Sequence, residues 1–172
     1  MKQIKITTEQ AGFLLFSAAI KSASAHLENK SYLKSLGLNK INKTQLMKEL
    51  LPIYLLEVVL AVERRFKDKD IKQEVVENIY SHFYSKLIER GLSDEQAEDA
   101  CEHIIKRHDD YISIMNKKDT DWQLYLGQKM LSNLLQDKTE NFEAIRILSL
   151  TFLMNVESMK KMVNKLEIVS KK

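Results

Sequence analysis

Apolar residues recur along this chain at helical spacing, and the longest apolar run is Leu46–Val62. At 100° per residue, most of the run falls on one wide face, but Leu56 and Leu60 lie among the polar positions opposite it. A helix that is apolar on a second side either runs through the middle of a bundle or meets another chain. The run is interrupted by Lys48, Glu49 and Glu57, so it is too short and too charged to span a membrane. We predict a central helix here.

Pro52 is the one proline of the chain, and it falls inside the predicted central helix. It lacks the amide that would bond to the Lys48 carbonyl, and its ring presses against that turn. The sequence therefore predicts a kink near Lys48–Pro52, or a break with a fresh helix starting at the proline. Further along the same helix, the angular position of Glu57 places it at the rim of the polar stripe near Arg64. We expect this carboxylate to be exposed.

Capping signals and turn residues predict the other helices. Each helix start is marked by a side chain that accepts a hydrogen bond from a free backbone amide, and a glycine marks two of the ends. The predicted helices run from a capping box at Thr7–Gln10 to about Leu27, from Asp70 to Gly91, from a second capping box at Ser93–Gln96 to about Met115, from Thr120 to about Asp137, and from near Thr139 to about Val169. Residues 29–43 read as a long connection with one short turn that Gly37 ends.

Length and turn content set the fold class. The chain has 172 residues with only four glycines and one proline, which favours long helices over a many-stranded sheet. We therefore predict one all-α domain over residues 1–172, a bundle of five or six helices with the kinked helix at its centre. The composition favours disorder in the lysine-rich tail, at about 167–172.

The last predicted helix, like the central one, has apolar residues on a second side. Ile147, Leu150 and Met154 lie roughly opposite its main apolar stripe. A single domain of this size has limited interior in which to bury so many apolar faces. The pattern predicts a homodimer whose interface uses part of this helix, through Ile147, Leu150 and Met154, or the patch formed by Leu56 and Leu60.

The charge pattern gives little support for nucleic-acid binding. The net charge is +3, with acidic and basic residues intermixed. The passage around Gly91 resembles a helix-turn-helix, but its second helix opens with Asp94 and Glu95, which phosphate would repel. The lysines and arginines elsewhere lack interleaved aromatic residues and read as a solvated face. A role as a nucleic-acid-binding accessory protein is the less favoured alternative.

No pattern typical of a catalytic or metal site occurs. The sequence lacks Glu-x-x-His, His-x-x-x-His and His-Glu-x-x-His, and its glycines are isolated. Cys101 is the single cysteine, and on one helix it would lie about 10 Å from His108, too far for a nucleophile and its base. We read Cys101 as a small core residue and predict a non-enzymatic protein without metal or cofactor.

A lone cysteine is typical of a reducing compartment. The first 25 residues have the basic start and apolar stretch of a signal peptide, but Glu9 and Lys21 interrupt the pattern. The sequence therefore favours the cytoplasm.

His108 stands where the helix pattern calls for an apolar residue, between Ile104 and Tyr111. We predict a buried, neutral imidazole that is hydrogen-bonded to a core carbonyl or hydroxyl, because a buried polar group needs a partner. A role as a pH switch or a ligand contact is the alternative.

These observations favour a helical interaction or structural protein that binds itself or another protein. The alternative is a binder of a small apolar ligand in the bundle interior. A cavity lined by the central helix would favour the ligand, whereas an exposed patch of Leu, Ile and Met would favour association.

Overall fold

Local signals start most of the helices where the sequence predicts them. Both predicted capping boxes are present: Thr7 accepts from the Gln10 amide, and Ser93 accepts from the Gln96 amide. Gly37 and Gly91 both adopt positive φ, as residues that end a helix commonly do. Two starts were misplaced. Asp68 rather than Asp70 caps its helix, its carboxylate accepting from the amides two and three residues on. The helix predicted from Thr120 begins at Trp122, and the Asp121 side chain before it makes no capping hydrogen bond.

The computed structural model describes residues 3–117, 119–136 and 141–169, and 80% of these are helical. The fold is the all-α bundle that the sequence predicts. The helices are α1 (Thr8–Glu28), α2 (Lys30–Ser35), α3 (Lys43–Arg65), α4 (Lys69–Glu89), α5 (Asp94–Met115), α6 (Trp122–Leu135) and α7 (Phe142–Val163). The short α2 occupies the predicted connection, and the other six helices correspond to the six that were predicted.

The central position of α3 is the main feature of the packing. It contacts α1, α4, α5, α6 and α7, and every residue from 49 to 58 is buried. The helix runs through Pro52 without a break, so the predicted alternative of a second helix starting there is wrong. A helix surrounded on all sides needs apolar residues all round, which explains its lack of a polar face.

The burial of α3 corrects two predictions. Glu57 was expected at an exposed rim, but its side chain is 0% exposed. Leu56 was a candidate for an exposed interface, and it too is 0% exposed, while Leu60 is half-buried. Both errors have one cause: neighbouring helices cover the side of α3 around Glu57 and Leu56, which leaves Leu60 partly exposed.

The final predicted helix is shorter than expected. α7 ends at Val163, and the following residues form strand β2 (Leu166–Ile168), which pairs in parallel with β1 (Ile4–Ile6). The register sets Ile4 opposite Leu166 and Ile6 opposite Ile168. Part of the tail predicted to be disordered is therefore β-structure. The rest of that tail, from 170 to 172, lies outside the described residues.

Candidate functional site

The outward face of α7 presents apolar side chains to solvent. Leu150 is 49% exposed and Met154 is 73% exposed, while Ile147 and Leu153 are half-buried beside them. We call these four residues the α7 face. They share a side of the helix because their spacings of three and four residues repeat at the helical period. The opposite side of α7 is buried against α3 and α6.

Charged residues border the α7 face at both ends. Glu143 and Arg146 are exposed on its N-terminal side, and Glu157 and Lys161 are exposed on its C-terminal side. A surface groove of about 410 Å³ runs beside Met154, and its lining residues are Leu153, Met154, Glu157, Ser158 and Lys161. The face is thus an apolar centre with an acidic and a basic residue on either side.

A cluster of polar side chains lies on the inner side, where α7 meets α3. The Glu57 carboxyl accepts one hydrogen bond, from Nδ2 of Asn155 at 3.3 Å. Its second oxygen, Oε2, is buried and makes no hydrogen bond within the described part of the chain. Burial raises the pKa of Glu57 well above its usual range, and the Asn155 hydrogen bond opposes this only in part. The group is therefore a neutral carboxylic acid in the folded protein at mildly acidic pH.

Aromatic and imidazole rings complete the cluster. The Tyr54 hydroxyl is hydrogen-bonded to Nδ1 of His26, and the two rings are stacked with centroids 5.4 Å apart. The His26 ring also lies 4.6 Å from the Tyr32 ring, measured between centroids. Burial lowers the pKa of His26 and raises the pKa of Tyr32 to about 12. The Tyr32 hydroxyl lies near Thr151 of α7 but makes no hydrogen bond within the described residues, so the hydrogen bond from α7 to this cluster is the one that Asn155 donates.

His108 is buried as predicted, with 5% of its surface exposed. Its Nε2 lies 2.8 Å from the Pro52 carbonyl, and its Nδ1 lies 2.7 Å from the Tyr80 hydroxyl. A carbonyl can only accept, so Nε2 carries the proton and the Tyr80 hydroxyl donates to Nδ1. Burial lowers the pKa of His108 to about 4. The imidazole therefore joins α4 and α5 to the proline turn of α3 as a neutral bridge.

Replacing His108 with leucine should flatten the acid side of a plot of stability against pH. In the unfolded chain a histidine takes up a proton near pH 6.5, whereas His108 in the folded protein does so only near pH 4. The wild type therefore loses stability as pH falls from 6.5 to about 4, by an amount on the order of 3 kcal/mol. Denaturant unfolding at several pH values measures this loss, and His82→Leu is the control at a surface groove. An NMR pKa for His108 of about 6.5 or higher would contradict the buried neutral form.

A second buried carboxylate on α3 has a full set of partners. Glu49 is 3% exposed, and Arg107 donates to both of its oxygens at 2.8 Å and 2.9 Å. Nε2 of His103 lies 3.3 Å from the same carboxylate. A bidentate ion pair of this kind offsets much of the cost of burying the charge. We read it as a structural tie between α3 and α5, in contrast to the poorly satisfied Glu57.

The comparisons with known proteins identify no relative. No family model matches this chain, and neither the curated proteins nor the solved structures gave a match. Function is therefore argued from the geometry of the chain alone.

Several other kinds of site find no support in the described residues. No helix there is long and apolar enough to cross a membrane. Within the same ranges, no three His, Cys, Asp or Glu side chains are grouped so that they could hold a metal ion. A second groove of about 410 Å³ is lined by Thr7, Glu9, Gln10, Phe13 and His82 at the surface between α1 and α4. Neither groove is lined by α3, so neither has the position expected of an interior ligand site.

The predicted interface residues differ in their exposure to solvent. It leaves Leu150 and Met154 exposed on one face with Ile147 at its edge, and it buries Leu56. Cys101 is half-buried at the edge of the core. The cluster around Glu57 was missed, because it is completed by Asn155 of α7, which lies 98 residues from Glu57 in the sequence. One signal was available: a carboxylate inside the longest apolar run.

Proposed function

We propose that this protein is a non-enzymatic helical protein that self-associates through the α7 face. The observation that carries the proposal is the exposure of Leu150 and Met154 at the centre of a helix whose other side is already packed. Contiguous apolar surface rimmed by charged residues is typical of a protein–protein contact.

The order of charges along α7 favours an antiparallel pair of α7 helices. Glu143 lies seven residues before Leu150, and Lys161 lies seven residues after Met154. A two-fold axis between Leu150 and Met154 therefore sets each Glu143 opposite Lys161 of the second copy, about 10 Å from the apolar contact. It also sets Leu150 of one copy against Met154 of the other.

The second set of charges agrees with the same register. Arg146 lies four residues before Leu150, and Glu157 lies three residues after Met154. These two side chains are on the same flank of the helix, so the two-fold axis brings each Arg146 close to Glu157 of the second copy. A parallel pair would instead set like charges side by side, which is unfavourable. Charge complementarity thus selects a second copy of this chain as the occupant.

Charge reversal tests this register. Glu143→Lys alone sets two lysines together at each end of the interface, and Lys161→Glu alone sets two glutamates together. We expect each single variant to weaken self-association by about tenfold, since each exposed pair contributes up to about 1 kcal/mol and the symmetry repeats it. Sedimentation equilibrium should show that the double variant Glu143→Lys/Lys161→Glu recovers the wild-type dissociation constant. Additive weakening in the double variant would contradict the antiparallel register.

A further inference from the structure

The inner side of α7 contacts a buried carboxyl group that has few hydrogen-bond partners. Glu57 is completely buried, has one donor at 3.3 Å and keeps one oxygen without a hydrogen bond. A carboxylate in such a place lacks the cation or the set of donors that would stabilise its charge. The protonated acid carries no net charge, so its burial costs far less.

The surroundings of Glu57 contain no compensating positive charge among the described residues. Its own helix contributes Tyr54, α1 contributes His26 behind Tyr54, α2 contributes Tyr32, and α7 contributes the neutral Asn155. The lowered pKa of His26 keeps that imidazole neutral near pH 7. From α5, His103, Arg107 and His108 contact Glu49 and Pro52 instead of Glu57. Tyr80 of α4 is hydrogen-bonded to His108.

The contact lies directly behind the α7 face. Asn155, which donates to Glu57, is next to Met154, and Thr151, which lies near the Tyr32 hydroxyl, is next to Leu150. These two inner residues therefore alternate with the two exposed residues on the same two turns of helix. The Asn155 amide favours the ionised acid, so ionisation would not weaken that hydrogen bond. The cost of a buried charge would instead favour opening between α3 and α7, and such opening would change how firmly Leu150 and Met154 are held.

We propose that Glu57 is a proton-sensitive tie between α3 and α7, which holds α7 when the acid is protonated and weakens self-association when it ionises. The regulatory part rests on the proposed function, whereas the tie itself concerns the single chain. The unfolded chain loses the Glu57 proton near pH 4.3, while the folded chain keeps it to higher pH. Glu57 therefore makes its full contribution to the free energy of unfolding below the unfolded-state pKa. This contribution is lost as the pH rises through the folded-state pKa.

A comparison with Glu57→Gln isolates this titration. Glutamine keeps the shape and polarity of the protonated acid and does not ionise. The unfolding constant of the wild type should rise relative to that of the variant by up to about tenfold per pH unit, over a window that starts near pH 4.5. Every other titrating group is present in both proteins, so its effect cancels in the ratio of their unfolding constants. Glu63→Gln, at an exposed position of the same helix, should track the wild type.

The same samples test the regulatory part. Sedimentation is run across the pH range in which the unfolding constants of the wild type and Glu57→Gln diverge. It should show a severalfold weaker dimer at the high-pH end for the wild type, and no change for Glu57→Gln beyond that common to both. If the ratio of the wild-type unfolding constant to that of Glu57→Gln stayed constant from pH 5 to pH 8, the tie would be overturned. Pronounced pH dependence of unfolding with pH-independent association would overturn the regulation. A wild type that is monomeric throughout would refute the proposed function, and the unfolding comparison would still decide the tie.

Discussion

Replacing Gly127 with alanine should lower the free energy of unfolding by about 2–4 kcal/mol. Gly127 lies in α6 where it crosses α7, and an added Cβ would stand 2.0 Å from Oγ of Ser149 and 2.6 Å from the Ile145 carbonyl oxygen. The serine hydroxyl can rotate, but the carbonyl belongs to the backbone of α7, so the helices must move apart. That shift breaks the hydrogen bond from the Ser149 hydroxyl to the Gln123 carbonyl of α6 (2.8 Å), and leaves the bond to the Ile145 carbonyl, which lies within α7.

The higher helix propensity of alanine, worth about 1 kcal/mol, offsets only part of this cost. Thermal unfolding should show a melting temperature lower by roughly 5–15 °C, using the usual relation for a chain of this size. Ser149→Ala is the matched control, because it removes one of the two close contacts. The double variant should be more stable than the sum of the single effects implies. Wild-type stability in Gly127→Ala would contradict the close crossing of α6 and α7.

Replacing Leu150 with aspartate should weaken self-association at least about 100-fold. In the proposed antiparallel pair, Leu150 lies at the centre, and the two-fold symmetry places the substitution in the interface twice. Losing the burial of two leucines costs about 3 kcal/mol or more, and each aspartate adds a buried charge without a partner. Sedimentation or light scattering at micromolar concentration measures the loss.

Ile105→Asp provides the matched control for this change. Ile105 lies on α5 and is 50% exposed, against 49% for Leu150, so the two substitutions have similar effects on the folded chain. Circular dichroism should show that both variants keep the helical content of the wild type. Equal loss of association in both variants would indicate a contact elsewhere, and unchanged association in Leu150→Asp would exclude the α7 face.

The sequence predicted the features that depend on neighbouring residues. The capping boxes at Thr7 and Ser93 and the glycine at 91 are local, so their hydrogen bonds and backbone angles follow from residues three or four apart. The burial of His108 was also predictable, because its position on the stripe of α5 required a neighbour. The sequence did not show that this neighbour would be the Pro52 carbonyl, because that contact depends on how α5 packs on α3.

The features that sequence reasoning missed depend on contacts between distant segments. Helical periodicity shows that α3 has a weakly polar side, but it does not show that neighbouring helices cover that side and bury Glu57 and Leu56. The short strand β2 exists because β1 lies beside it, and nothing in the long stretch of sequence from Ile6 to Leu166 indicates that pairing. The Glu49–Arg107 ion pair is likewise a product of the fold.

The most direct test of the central claim is the molar mass of the unmodified protein in solution. Sedimentation equilibrium from low to high micromolar concentration should show the mass rising towards twice that of the chain, with a single dissociation constant. The proposed pairing of two α7 faces requires this closed dimer, because an isologous contact uses the same surface on both copies. A mass equal to that of one chain at high micromolar concentration would contradict the account.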